Sequence, residues 1–120
     1  SRRQRQMCIR DRYRIEEMIL RGRHLSRIFT TTELAYAKDN ATTLAGNFAV
    51  KEAVSKVFGI GFFGVEPYEI EVLRNESGAP YVKLYGNAKE IAKDKQVSRI
   101  HVSITNTREF AQAFAIGECV

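Results

Sequence analysis

The segment Leu44 to Phe58 most constrains how this chain can fold. Leu44, Ala45, Phe48, Ala49, Val50, Ala53, Val54, Val57 and Phe58 recur at helical spacing and surround most of the helix axis. A helix apolar on nearly every side is one wrapped by other elements. Lys51, Glu52 and Lys56 interrupt the pattern, and an ionised side chain taken out of water must be paired or must bind something. An i,i+4 pair of Glu52 with Lys56 accounts for their spacing but not for charge on a buried helix. The second reading puts Glu52 on a divalent cation and the lysines on phosphates. Mg²⁺ prefers hard carboxylate oxygens, and phosphoryl chemistry needs positive charge at the transferring centre.

The flanking sequence supplies partners for such a helix. Tyr13 to Arg23 carries Ile15, Met18 and Ile19 at helical spacing, with Arg14, Arg21 and Arg23 elsewhere around the axis, which predicts a short basic amphipathic helix. Thr30 followed by Glu33 is a capping-box pattern and predicts a second short helix. Gly59 is placed to cap the central helix, and residues 59–64 form a glycine-rich loop. Tyr68, Ile70 and Val72 alternate with acids, turn residues follow at Asn75 to Gly78, and an apolar run spans Tyr81 to Tyr85, so 68–85 is a predicted hairpin. Asn87 to Gln96 reads as a polar helix, and Ile100 to Thr105 and Ala111 to Ile116 as two strands around a turn. One buried helix with antiparallel strands is an α+β domain. On the strand 100–105, alternation sets Ile100, Val102 and Ile104 on one face and His101, Ser103 and Thr105 on the other. That polar face is either a solvated sheet surface with an incidental histidine or part of a site.

Length and charge narrow the class. At 120 residues and 44% apolar content, one soluble domain is expected, with enough core to need no disulfide scaffold. Cys8 and Cys119 have no zinc-ligand spacing, which favours reduced thiols and a cytoplasmic setting. No apolar run approaches the ~18 residues of a membrane span. The net charge of +5 would suggest nucleic acid, but Arg2, Arg3, Arg5, Arg10, Arg12 and Asp11 account for +4 of it within the first 12 residues. The rest is nearly neutral, so no nucleic-acid partner is expected. Residues 1–12 show neither helical nor strand periodicity and resemble translated sequencing-adapter read-through. They are set outside the fold as an atypical segment, with residues 13–120 as the domain. The other reading is a basic arm for an anionic partner.

The run from Phe48 to Lys56, F-x-x-K-E-A-x-x-K, resembles the helix signature of the 4'-phosphopantetheinyl transferases. Arg27 to Thr30, Gly59 to Gly61, the segment Gly78 to Gly86 and His101 to Thr105 match the bacterial holo-acyl-carrier-protein synthase type, in order and spacing, so the resemblance spans Arg14 to about Glu118. It implies that fold, and transfer of the phosphopantetheine arm of coenzyme A to a serine of acyl carrier protein. Mg²⁺ is the implied cofactor and coenzyme A the cosubstrate. The same resemblance makes Glu52 a metal ligand and sets Lys56 at the coenzyme A phosphates, with Lys51 as a further candidate there. It sets His101 near the nucleotide, Ser103 beside it, and Gly59 and Gly61 along coenzyme A. Arg14, Met18, Arg21 and Arg27 become the docking residues for an acidic carrier protein, and a homotrimer with sites between subunits is implied.

The resemblance breaks at the start. The family begins G-I-D-I/L-V-E-I-x-R-I, and its aspartate is a second metal ligand. Counting back from Arg14 puts Cys8 at that position and leaves Asp11 three residues late, a shift that alternates it to the other face of a strand. A thiol is a poor ligand for Mg²⁺. Two alternatives to an active transferase therefore stand: a catalytically impaired homologue that still binds acyl carrier protein, and a polyanion-binding module built on the Arg-rich arm.

Overall fold

The computed structural model describes residues 3–11 by their backbone and residues 25–119 with their side chains. The predicted helix from Tyr13 to Arg23 lies outside the described residues. A short helix α1 (Leu25–Ile28) leads to α2 (Thr31–Ala37). Thr30 caps α2 as its sequence predicts: its hydroxyl accepts from the Glu33 N–H at 3.2 Å, and the Glu33 carboxylate accepts from the Thr30 N–H at 3.1 Å. Lys38 and Asp39 take positive φ angles of 49° and 63° and turn the chain into Asn40. The Asn40 side chain then caps the central helix α3 (Ala41–Val57).

After α3 come a 3₁₀ turn (Pro67–Glu69), the hairpin β2 (Ile70–Arg74) and β3 (Pro80–Leu84), helix α4 (Gly86–Asp94), and the long antiparallel pair β4 (Val97–Asn106) and β5 (Phe110–Cys119). The hairpin begins at Ile70 rather than Tyr68 because the 3₁₀ turn takes up the residues before it. The α+β class holds.

The first strand corrects the sequence reading. Arg3–Asp11, set outside the fold for lack of a side-chain pattern, forms β1, which pairs antiparallel with β5 from Arg3 opposite Glu118 to Asp11 opposite Phe110. The ladder is made by backbone groups, so an edge strand does not require alternating apolar residues. The sheet order is β1-β5-β4, with the hairpin separate.

One face of the three-stranded sheet packs on α3. Ala111, Ala113, Ala115 and Gly117 of β5 are buried, and Ala113 and Ala115 share the core with Ala49, Val50, Ala53, Val54 and Val57 of the helix. Small residues on β5 let the helix come close: a Cβ added to Gly117 would lie 2.6 Å from Val57 Cγ1. Ile100, Val102 and Ile104 of β4 pack against the same core. A second cluster, Phe29, Ala37, Leu44, Ala45 and Ala111, joins α2 to the start of α3.

Candidate active site

Helix α3 is covered on nearly all sides. From Leu44 to Phe58, every residue is buried except Phe48, Glu52 and Lys56. These are spaced by four, so they form one stripe. Glu52 and Lys56 therefore lie where a ligand can reach them, with side-chain exposures of 22% and 47% and 3.8 Å between carboxylate and ammonium. The charge anomaly in the sequence is half resolved: these two charges belong to the open stripe and are not buried.

Lys51 is the buried charge, and its assignment to coenzyme A is corrected. Its side chain is fully enclosed, and the ammonium donates to Glu33 Oε1 at 2.7 Å, to the Pro67 carbonyl at 3.0 Å and to the Ile70 carbonyl at 2.6 Å. An ammonium has three N–H donors, so none remains for a phosphate. Burial lowers the Lys51 pKa, and the charge and hydrogen bond of Glu33, then the charge of Glu71, oppose that shift. Burial likewise raises the Glu33 pKa against the pull of Lys51.

Glu33 anchors a larger network that the sequence reading missed. The Asn47 amide donates to Glu33 Oε2 at 3.3 Å, and Arg74 donates to Asn47 Oδ1 at 2.9 Å. The Thr30 hydroxyl donates to Glu71 Oε2 at 2.6 Å, and the Tyr85 hydroxyl to Glu71 Oε1 at 2.9 Å. The capping box identifies Glu33 as a cap residue, but nothing local signals its second role, because Lys51 lies 18 positions later.

The glycine loop leaves α3 directly below Lys56. Gly59 and Gly61 have φ of 78° and 57°, a region that side-chain-bearing residues rarely adopt. The Lys95 ammonium lies 3.9 Å from where a Gly59 Cβ would be, adding a cation that no sequence motif marked. Phe63, in the same loop, is 87% exposed.

His101 and Ser103 do not join this group within one chain. Alternation on β4 is as the sequence predicts, with Ile100, Val102 and Ile104 packed on the core and His101, Ser103 and Thr105 exposed. That exposed face is the side of the sheet away from α3. There His101 Nε2 is 2.8 Å from Glu118 Oε1, and Phe110 and Phe114 are exposed alongside. The sheet separates His101 and Ser103 from Glu52 and Lys56.

Arg27 is exposed at the end of α1, while Arg14, Met18 and Arg21 lie outside the described residues. Cys8 is registered opposite Ala113 and Asp11 opposite Phe110, so the two positions alternate to opposite sides of the sheet. Among the described residues, no group of three or more His, Cys, Asp or Glu is arranged to hold a metal.

A sequence profile described as the 4'-phosphopantetheinyl transferase superfamily matches residues 9–116. The chain belongs to that superfamily. Within it, the holo-[acyl-carrier-protein] synthase of Lachnoclostridium phytofermentans is 50% identical over 107 residues, covering 89% of this chain and 88% of that protein. The synthase of Halothermothrix orenii is 41% identical over 110 residues, covering 88% of each. Among solved structures, holo-[acyl-carrier-protein] synthase of Helicobacter pylori in complex with coenzyme A has a TM-score of 0.86 at 26% identity, covering 96% of this chain and all of that one. The synthase from Bacillus anthracis in complex with CoA (3',5'-ADP) has a TM-score of 0.79 at 30% identity, covering 97% and 96%. In this fold the F-x-x-K-E-A-x-x-K run lies on α3, with Phe48, Glu52 and Lys56 on its open stripe and Lys51 and Ala53 buried.

Proposed function

We infer that the protein works as a holo-[acyl-carrier-protein] synthase, moving 4'-phosphopantetheine from coenzyme A to a serine hydroxyl of acyl carrier protein. The observation that carries this reading is the open Glu52–Lys56 stripe on an otherwise buried helix. In the reaction the serine oxygen bonds to the phosphorus that bears the pantetheine arm. The bond from that phosphorus to the bridging oxygen breaks, adenosine 3',5'-bisphosphate leaves with the electron pair, and the serine proton passes to a base. Such a transfer gains most from fixed positive charge around the phosphoryl oxygens. Lys56 supplies one such charge, and Lys95 adds another beside Gly59. Without side chains, Gly59 and Gly61 let a phosphate or the pantetheine arm approach the backbone closely.

Mg²⁺ fits this chain through Glu52. Its carboxylate is accessible, and Mg²⁺ commonly binds one or two protein carboxylates, filling its other positions with water and substrate phosphate. When bound, the cation neutralises charge on the pyrophosphate. Asp11 is the weaker candidate for a second carboxylate, because Cys8 occupies the position that matches the family's aspartate.

His101 and Ser103 serve the nucleotide in this reading from a neighbouring copy. With Glu52 on the helix side and His101 on the far side of the sheet, a complete site needs the outer face of one chain against α3 of another. A homotrimer supplies that arrangement, and the exposed Phe110 and Phe114 give its interface apolar area. Arg27, with Arg14, Arg21 and Met18, faces the acidic carrier protein, where opposite charge speeds encounter. No described helix is long and apolar enough to cross a membrane.

The test is Glu52→Gln. Transfer of phosphopantetheine from coenzyme A to apo carrier protein falls by about 100-fold or more, since the helix is unchanged and the charge that fixes the cation is gone. Undiminished transfer by Glu52→Gln in an active parent refutes the assignment.

A further inference from the structure

We propose that Lys51, held by Glu33, is a positioning residue that sets the rotation of α3 and so aims Glu52 and Lys56 at the substrate. The proposal rests on the transferase reading above. The Lys51 ammonium is bound by acceptors from three separate elements: the Glu33 carboxylate of α2, the Pro67 carbonyl at the 3₁₀ turn and the Ile70 carbonyl at the start of β2. Glu33 is itself fixed from two sides, by the Thr30 N–H and the Asn47 amide. The anchor therefore ties α3 to α2, to the 3₁₀ turn and to the start of β2.

Residue 52 follows residue 51 by one helical step, about 100° around the axis. Side-chain atoms ride about 5–6 Å from that axis, so a rotation of only 10° moves the Glu52 carboxylate by about 1 Å. A displacement of that size at a reacting centre can cost about 100-fold in rate. Apart from Asn47, which bonds Glu33 and Arg74 one turn earlier, the rest of the helix surface gives weaker control of rotation. It packs small or β-branched side chains such as Ala49, Val50, Ala53 and Val54, and nondirectional apolar contacts tolerate small shifts that directional hydrogen bonds do not.

Stability alone does not account for the pair. Well-packed apolar side chains in place of a buried ion pair are often equally stable or more so. What the ammonium adds is three fixed directions.

The experiment compares steady-state transfer by the parent, Lys51→Met, Glu33→Gln and the Glu33→Gln/Lys51→Met double variant, with urea unfolding of each. Lys51→Met and the double variant are expected to lose about 10- to 100-fold in kcat. Their KM for coenzyme A stays within about two-fold, because Lys51 has no donor free for the nucleotide. Glu33→Gln, whose amide oxygen still accepts from Lys51 although its NH2 then faces the Asn47 amide, keeps clearly more kcat than Lys51→Met does. A folded double variant with the parent's kcat overturns the proposal, as does a loss confined to KM. If neither Lys51 variant folds, Lys51 is a folding residue and the proposal is likewise overturned. A parent that transfers nothing refutes the transferase reading itself, so the two failures are distinct.

Discussion

Replacing Lys51 with methionine strengthens the dependence of this protein's stability on pH through a single carboxyl group. In the parent, Glu33 faces Lys51 and Asn47 from α3, the Thr30 N–H at the α2 cap, and Arg74 and the Val72 N–H from β2, while Glu71 acts on Lys51. Burial raises its pKa, and Lys51 provides the largest opposing pull. Without the ammonium, the largest pull against burial is gone and the hydrogen bonds from the Thr30 and Val72 N–H groups remain. A carboxyl whose folded pKa lies above its unfolded value contributes stability that is complete below the unfolded value and is lost as pH rises through the folded one. Lys51→Met is therefore least destabilised in acid and loses stability as pH climbs above the ordinary glutamate value of 4.5. Breaking a buried pair costs about 3–5 kcal/mol when the remaining charge stays ionised. Each pH unit over which Glu33 keeps its proton in the folded state is worth about 1.4 kcal/mol, so the variant's deficit grows by up to about 2.7 kcal/mol between pH 5 and pH 7. Urea unfolding of the parent, Lys51→Met and the Glu33→Gln/Lys51→Met double variant at the two pH values reads this directly. The double variant has no buried carboxyl at position 33 and shows no added slope. An equal deficit for Lys51→Met at pH 5 and pH 7 would refute the reasoning.

Two further perturbations test other contacts. Gly117→Ala places a Cβ 2.6 Å from Val57 Cγ1 and should cost about 1–3 kcal/mol by overpacking. Val57→Ala removes the clashing methyl groups, so the double variant is less destabilised in thermal melts than the sum of the singles, and strict additivity refutes the contact. Cys8→Asp restores a carboxylate at the position matching the family's second metal ligand and should lower the Mg²⁺ concentration for half-maximal transfer by about ten-fold. An unchanged Mg²⁺ requirement means that the second ligand comes from elsewhere.

The parts of this molecule that follow a local period were legible in the sequence. The burial of α3 shows in apolar residues that run around its axis, the α2 cap in Thr30 and Glu33, and the two faces of β4 in strict alternation. Partnerships between distant segments were not legible. Lys51 reads as one more cation in a phosphate motif until Glu33, Pro67 and Ile70 are seen to take its three donors. Alternation separates His101 from Ile100, but only the packing of α3 against one side of the sheet shows that His101 and Glu52 cannot meet within a chain.

Strand β1 was hidden for a different reason. Its position depends on backbone pairing with β5, so nine residues with an unpromising side-chain pattern still form a ladder from Arg3 to Asp11. Pairing and chemistry are therefore separable at this edge. The ladder sets which positions face which side, while the residue at each position decides whether a hard cation finds a carboxylate there. Because the side-chain period is two, Asp11 cannot stand in for position 8 by a simple extension of the strand: three residues is an odd offset, and it lands on the other side. Moving a carboxylate to the side of Cys8 takes either a substitution at that position or a one-residue bulge. A bulge would break the continuous one-to-one register that β1 keeps with β5 along its whole length.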